Sequence, residues 1–271
     1  MNYISYPHRF ANAIINSDRT LLYRYNEFVN TISSISDIDL IQDFIQRKNK
    51  HRQRRTSFKS LTPSINSLLK TRITNIPGWF SEVDIFNDIT GSLGNTEWRL
   101  DFACDNALCV EVAFNHGEAI AWNLLKPVLA CELNHVQKAI QGKVGIYVCA
   151  TDNLKKAGNI DSASGSYEKV LRYLLPMMNQ LTIPIMIIGL EAPTNFIINK
   201  KANIVCRTFI PNIINLPVSL QLKNNQGISG LIINYIPSSL YQPAMVVIQD
   251  PQVAQSITIL ETDISSIEYQ I

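Results

Sequence analysis

Apolar and polar residues alternate most regularly in residues 100–125, near the middle of the 271-residue chain. Within 108–114 every second residue is apolar and faces a core, which is the period of a β-strand. Residues 105–106 (Asp-Asn) carry a turn signal, so the pattern predicts a β-hairpin followed by a helix. Two carboxylates, Asp101 and Glu111, interrupt these otherwise apolar strands.

The hydrophobic pattern after the hairpin alternates between helical and strand periods. Residues 120–133 predict a helix that Pro127 kinks or divides, and 167–181 predict an amphipathic helix. The nearly continuous apolar runs 144–150 and 183–190 are typical of strands covered on both faces. The order β-β-α-β-α-β predicts an α/β core with a mixed β-sheet flanked by helices.

Both ends of the chain show other patterns. Residues 10–46 have helical spacing, and short Ile, Val and Leu runs separated by Pro, Asn and Gly follow residue 192. We therefore predict a helical N-terminal region at 1–61, a core at 62–192 and a C-terminal β-rich extension at 193–271. We expect this extension to pack on the core and to take part in recognition or dimerisation.

Composition restricts the class of protein. With 46% hydrophobic residues the chain can bury a core, and its net charge of only +2 does not by itself indicate a nucleic-acid partner. The apolar runs are too short to span a bilayer and the N-terminus lacks a signal-peptide pattern, so we expect a cytoplasmic protein. Five cysteines without metal-binding spacing suggest buried thiols in a reducing compartment. P-loop, dinucleotide-binding, zinc-protease and serine-hydrolase motifs are absent.

Positive charge is concentrated in residues 47–59. A run of this kind fits a solvated surface linker as well as an arm that contacts phosphates. In a nearly neutral protein the concentration favours phosphate binding. The predicted DNA-binding residues of this segment are Arg47, Lys48, Lys50, Arg52, Arg54, Arg55 and Lys59.

The two hairpin carboxylates suggest a metal site. Alternation places Glu111 on the face opposite the core residues, toward a cleft or solvent. Two acids from paired strands suit a hard cation such as Mg²⁺ and metal-assisted phosphodiester hydrolysis. Acids on the wet face of a hairpin are also common without function. His116, at the start of the next helix, is a candidate proton carrier or a solvated N-terminal residue.

The segment 98–190 resembles the PD-(D/E)XK nucleases, and most closely the BglII and BamHI branch of type II restriction endonucleases. The resemblance is carried by LDF at 100–102, VEVAF at 110–114, WNLLKPVLACEL at 122–133, VGIYVCAT at 144–151 and IPIMIIGLE at 183–191. None extends beyond residue 192. The resemblance implies a PD-(D/E)XK restriction-endonuclease-like fold for the core.

The resemblance also implies an activity. Asp101 and Glu111 would bind Mg²⁺ together with the carbonyl oxygen of Val112. The protein would act as a homodimer on short palindromic sites in double-stranded DNA and leave staggered ends. A cognate DNA methyltransferase would be expected genetically, and not as a bound partner. We expect the loop at 152–166 and the C-terminal extension to read base edges.

One position departs from the family pattern. The third active-site side chain would fall at Ala113, which cannot bind a metal, orient water or carry a proton. The role could have moved to the following helix, the site could work with two acids and water, or the protein could bind DNA without cutting it. The candidates for a moved role are Asn115, His116, Glu118 and Lys126.

Two of these candidates also have structural interpretations. Asn115 and Glu118 have the spacing of a capping box, and Lys126 fits a solvated helix lysine that contacts DNA. An additional acid before the hairpin could be Glu82, Asp84 or Glu97, and the sequence does not decide among them. The main hypothesis is a Mg²⁺-dependent type II restriction endonuclease, and the alternative is a non-catalytic DNA-binding protein on the same fold.

Overall fold

The computed structural model describes residues 1–87, 98–104, 107–132, 137–210, 214–250 and 255–271. The chain folds into two compact units, each assembled from separate segments. The first unit comprises Met1–Ser36, Thr62–Lys156 and Ile160–Ala192. The second unit comprises Asp37–Leu61, Ala157–Asn159 and Pro193–Ile271.

A mixed six-stranded sheet forms the centre of the first unit. Its order is β1-β6-β5-β4-β3-β2, in which β4, β5 and β6 are parallel and the other pairs are antiparallel. The strands are β1 (Tyr3–His8), β2 (Phe80–Asp84), β3 (Arg99–Cys104), β4 (Leu108–Ala113), β5 (Val144–Ala150) and β6 (Ile185–Leu190). The predicted mixed sheet and the β-hairpin β3–β4 are thereby confirmed.

Helices flank this sheet. They are α1 (Ala11–Ser17), α2 (Arg19–Ser34), α4 (Thr62–Thr74), α5 (Ile120–Cys131), α6 (Asp152–Ala157) and α7 (Tyr167–Leu174), while α3 (Asp37–Gln53) belongs to the second unit. Asp18 caps α2 by accepting hydrogen bonds from the backbone N–H groups of Thr20 and Leu21. Ser166 caps α7 in the same way through Lys169.

The core strands are buried because helices cover both faces of the sheet. Every residue of β5 and of β6 is buried, as the continuous apolar runs predicted. Gly189 of β6 lets α7 approach closely, since a Cβ atom at this position would lie 2.7 Å from the ring of Tyr167.

Several local predictions for this unit are corrected. The pattern did not predict β1, an edge strand whose mostly exposed residues lack a clear alternation. Helix α5 continues through Pro127 instead of being divided. Residues 152–166, predicted to be a loop, begin with the short helix α6, and α7 ends at Leu174, well before 181.

A seven-stranded antiparallel sheet dominates the second unit, which confirms the predicted β-rich C-terminal region. Its order is β12-β11-β10-β9-β13-β8-β7. The strands are β7 (Phe196–Ile198), β8 (Ile204–Cys206), β9 (Pro217–Leu222), β10 (Gly227–Ile236), β11 (Met245–Gln249), β12 (Ser256–Leu260) and β13 (Ile264–Tyr269).

Helix α3 (Asp37–Gln53) joins this sheet in the second unit. At its start the Asp37 carboxylate accepts hydrogen bonds from the backbone of Thr194 and Asn195. The helix includes residues 47–53, so the first half of the basic run is an ordered helix end and not a linker. The segment Asp37–Leu61 was predicted to belong to the N-terminal region. In the structure it groups with the C-terminal part of the chain. Within the described residues, no helix is long and apolar enough to cross a membrane.

Candidate active site

Asp101 and Glu111 lie opposite each other where β3 and β4 stop pairing. The antiparallel register joins Phe102 to Val110, and one further step places Asp101 across from Glu111 on the same face. Here a side chain replaces the backbone hydrogen bonding between the strands. Oδ2 of Asp101 accepts a hydrogen bond from the backbone N–H of Val112 at 2.6 Å. The side chain thus satisfies a strand donor at the point where the strands separate.

Glu111 is a buried carboxylate, with 4% of the residue exposed. Its Oε1 accepts a hydrogen bond from Nζ of Lys126 at 2.7 Å. Its Oε2 is also buried and has no hydrogen-bond partner among the described residues. An unpaired buried carboxylate oxygen is costly, and functional sites are where such atoms persist.

The electrostatics of the two acids reflect burial and mutual repulsion. Burial, the negative charge of Asp101 and, more weakly, that of Glu82 raise the pKa of Glu111 to about 8, against the lowering effect of Lys126. Burial also raises the pKa of Asp101, although the Val112 N–H and Lys126 oppose this. Positive charge placed between the two carboxylates would relieve both effects.

Among the upstream acids, the register selects Glu82. Ser81 pairs with Phe102 and Val83 with Leu100, so Glu82 of β2 lies directly opposite Asp101 of β3. Its backbone is in the left-handed region, with φ of 54°, a strained conformation of the kind found at functional sites.

The other two upstream acids are placed differently. The Asp84 carboxylate forms an ion pair with Arg99 at 3.0 Å. Glu97 lies outside the described residues.

A second lysine belongs to this neighbourhood. Lys70 of α4 forms an ion pair with Glu82 at 3.1 Å, and its charge also lowers the pKa of Asp101. Its sequence context, a lysine in an amphipathic helix, does not distinguish it from a surface residue. Only the pairing of α4 with β2 in the folded chain brings it to the acids.

Ala113 is a core residue, not a vacant polar position. It is 4% exposed and belongs to the hydrophobic cluster that includes Ile120 and Leu124. The basic group of the site comes from Lys126 on α5, whose side chain is only 16% exposed. Lys126 is therefore not the solvated helix lysine that the sequence pattern suggested.

Comparison with known proteins assigns the family. A sequence model of the restriction endonuclease BglII/BglIII family matches residues 3–190. The chain belongs to this family. It is a type II restriction endonuclease, a site-specific deoxyribonuclease. No curated protein matches the chain.

The fold of this restriction endonuclease agrees with a solved structure. The crystal structure of restriction endonuclease BglII complexed with a DNA 16-mer matches it with a TM-score of 0.50 and 15% sequence identity. The match covers 96% of this chain and 100% of that chain. It confirms the predicted fold class, a mixed α/β protein with two sheets flanked by helices.

The other predicted catalytic residues of the endonuclease lie on the segment before α5. Asn115, His116 and Glu118 are exposed. Within the described part of the chain, the hydrogen bonds and ion pairs of the two acids involve none of these side chains.

The capping box predicted from Asn115 and Glu118 does not form. His116, and not Asn115, is the N-cap of the 3₁₀ turn that starts at Gly117, and it makes no side-chain cap. Asn115 Oδ1 instead accepts a hydrogen bond from the buried Asn123 amide at 2.8 Å. A tertiary partner on α5 thus replaces the local cap.

The basic run of the endonuclease contains residues of two kinds. Arg47 is paired with Asp43, and Lys48 donates to Ala202 O and Asn203 Oδ1. The others are exposed and available to a polyanion: Lys50, Arg52, Arg54, Arg55 and Lys59.

Within the described residues, no group of three or more His, Cys, Asp or Glu side chains is arranged to hold a metal ion. The candidate site therefore offers a carboxylate pair. Two carboxylates are sufficient for a cation such as Mg²⁺, which keeps several water ligands and often takes others from the substrate.

Proposed function

We propose that this restriction endonuclease hydrolyses phosphodiester bonds of double-stranded DNA at a short palindromic sequence, with Mg²⁺ held by Asp101 and Glu111. The observation that carries the proposal is the buried carboxylate of Glu111. One of its oxygens is bound to Lys126, and the other lacks a partner among the described residues. A side chain of this kind, facing the partly buried carboxylate of Asp101, is suited to binding a cation.

The donor set fits a hard divalent cation. Both side chains supply carboxylate oxygens, and burial together with the proximity of the two acids raises the pKa of each, so a bound cation would stabilise their charged forms. The backbone of Val112 is held beside Asp101 by the hydrogen bond from its N–H group, so its carbonyl oxygen is a further candidate ligand. Glu82 of β2, opposite Asp101, is the fourth candidate.

The metal, when bound, supplies positive charge that polarises the scissile phosphate and activates water. Asp101 and Glu111 would hold the metal, since each carboxylate is itself held by a neighbouring group, the Val112 N–H and the Lys126 ammonium. We assign to Lys126 the task that the family places at position 113. Its ammonium orients the attacking water and stabilises the negative charge that develops on the phosphate.

This assignment favours cleavage over the alternative of a non-catalytic DNA-binding protein. The alternative rested on Ala113, which lacks any functional group. The basic group is present at the acids, but it comes from α5 instead of β4. Membership in a family of DNA-cleaving enzymes agrees with this.

We further propose a homodimer, because each chain provides one such centre and a duplex has two strands to cut. A palindromic site would match the two-fold symmetry of the dimer. A cytoplasmic location is proposed on the basis of five free cysteines, all buried, which is typical of proteins from a reducing compartment. A cognate methyltransferase remains a genetic expectation.

The test is digestion of a long natural duplex DNA by the purified protein, with Mg²⁺ and with EDTA in parallel. The proposal predicts discrete fragments with Mg²⁺ only, and sequencing of their ends should give one short palindrome. Discrete cleavage in EDTA would contradict the metal dependence. Intact DNA in Mg²⁺, with a shift on a native gel, would contradict the proposed activity.

A further inference from the structure

Lys48 of α3 joins the end of a basic helix to a hairpin turn. Its ammonium donates to the carbonyl oxygen of Ala202 and, at 3.3 Å, to Oδ1 of Asn203. Both acceptors are neutral, so these contacts hold the lysine without balancing its charge. Burial and the nearby charge of Arg52 together lower the pKa of Lys48. Two cations are therefore held close together at this end of the helix.

The turn between β7 and β8 is fixed by its own hydrogen bonds. Asn199 Oδ1 accepts the backbone N–H groups of Lys201 at 2.9 Å and of Asn203 at 3.0 Å. Glu268 Oε1 accepts from the side-chain amides of Asn199 and Asn203 at 2.8 and 2.9 Å. The carboxylate thus holds the turn through neutral groups.

This fixed turn presents two more cations. Lys200 and Lys201 are both exposed, and Lys201 directly precedes Ala202, whose carbonyl binds Lys48. Four positive residues therefore lie on adjoining parts of the second unit. They are Lys48 and Arg52 on α3, and Lys200 and Lys201 in the turn. Like charges held together repel each other, and a bound polyanion would relieve that repulsion.

The helix dipole accounts for only part of this arrangement. Basic residues in the last turn of α3 are favourable next to its C-terminal carbonyl groups. That effect does not extend to Lys200 and Lys201, which belong to a β-turn. The contact of Lys48 with this turn is what joins the two sets of charges.

We propose that the end of α3 and the β7–β8 turn form one binding surface for the phosphate backbone of double-stranded DNA. Arg52, Lys200 and Lys201 contact phosphates, and Lys48 is the positioning residue that holds the turn against the helix. The inference rests on the proposed function, because DNA is the polyanion that the enzyme acts on. It adds residues 200 and 201 to the interface and makes Lys48 a structural residue.

The experiment measures binding of the purified full-length protein to a fluorescent duplex of arbitrary sequence, in EDTA, over a series of NaCl concentrations. Each phosphate contact contributes about 0.9 to the slope of log affinity against log salt. The proposed dimer presents this surface twice, so the double variant K200Q/K201Q removes four contacts from each complex. It should therefore make the slope less steep by about 3.6 and weaken binding about tenfold or more at low salt. The matched control is Lys223→Gln, an exposed lysine in the β9–β10 turn of the same unit, which should change neither quantity.

Thermal unfolding of the same variants provides a second measurement. Because the substitutions remove repulsion, the Tm of K200Q/K201Q should equal or exceed that of the wild type, so weaker binding cannot be attributed to misfolding. The proposal is overturned if the double variant keeps the wild-type salt slope, or if Lys223→Gln lowers the slope as much. Because this assay needs neither Mg²⁺ nor a specific site, its failure is distinguishable from failure of the cleavage test.

Discussion

Lys126 is the residue that changes the interpretation of this site. From β4 alone the proposed active centre lacks its third functional group, since Ala113 is a buried core residue. The helix that follows places an ammonium group 2.7 Å from Glu111. The function of a side chain in such a site depends on where its charged group lies, not on which element carries it.

Replacing Lys126 with methionine should abolish most cleavage while DNA binding remains. Methionine keeps the apolar part of the side chain and removes the charge to which we assign the orientation of water and the stabilisation of the transition state. Loss of such a group lowers the rate by roughly 10²- to 10³-fold. The measurement is single-turnover cleavage in Mg²⁺ alongside binding in Ca²⁺.

The matched control for this experiment is Lys143→Met. Lys143 also forms an ion pair, with Asp18 at 3.0 Å, but 56% of its side chain is exposed. Cleavage should be unchanged in this variant. A Lys126→Met enzyme that cuts at the rate of the control would show that Lys126 has no catalytic role.

For individual residues, the sequence predicts the two carboxylates of the site better than the lysine that pairs with them. Asp101 and Glu111 can be proposed because polar residues inside apolar strands are conspicuous and the hairpin register is local. The positions of Lys126 and Glu82 depend on the packing of α5 against β4 and on the pairing of β2 with β3. No local pattern encodes those contacts.

At the scale of elements, the first unit is held together by polar contacts between segments as well as by its core. Glu27 of α2 accepts hydrogen bonds from Arg24 at 2.9 Å and from the indole of Trp79 at 3.0 Å. Trp79 follows α4 and stacks on Phe28, with ring centroids 5.6 Å apart. One carboxylate thereby ties α2 to the chain that leads into β2.

Replacing Glu27 with glutamine should destabilise the protein in a pH-dependent way. Burial opposes ionisation, but hydrogen bonds from Arg24, Trp79 and Tyr23 outweigh it and lower the pKa of Glu27 below its usual 4.5. The stability that this charge provides is present above pH 4.5 and is lost as the pH falls through the folded-state pKa. We expect a loss of about 1 kcal/mol at pH 7, decreasing toward pH 3.

Urea denaturation of wild type and Glu27→Gln across this pH range measures the effect. Glu118→Gln, which changes an exposed acid, is the control and should be neutral at every pH. A destabilisation of Glu27→Gln that is constant from pH 7 to pH 3 would contradict the role of the charge.

Edge elements were harder to predict than central ones. The buried strands β5 and β6 follow directly from their apolar runs, whereas the edge strand β1 has a mixed pattern because only one side of it pairs.

The basic run shows a related problem. Its charges suggest a solvated arm, but the apolar residues that start α3, among them Leu40, Ile41 and Phe44, are fully buried and extend the helix to Gln53.

At the scale of the whole molecule, charge is distributed unevenly. Residues 37–61 contain seven basic and three acidic residues in a chain whose net charge is only +2. A nearly neutral protein can therefore bind a polyanion through one local surface. Net charge alone does not indicate such a partner, whereas the local distribution of charge does.

We predict that the enzyme is a dimer in solution. A single centre per chain cuts one strand, so cutting both strands at a palindrome requires two copies related by symmetry. Sedimentation equilibrium should give twice the 30.6 kDa of the chain. A monomer that nevertheless cuts both strands of a site in one binding event would contradict the prediction.

The most direct test of the central claim is the single-turnover rate at which Asp101→Asn and Glu111→Gln cleave a duplex containing the recognition site, in Mg²⁺. Both changes preserve side-chain size and remove the charge that would bind the metal. We predict that each variant loses at least about a thousandfold in rate and keeps the wild-type circular dichroism spectrum, while Glu118→Gln cleaves normally. Cleavage by either variant at the wild-type rate would show that the active centre lies elsewhere in the chain.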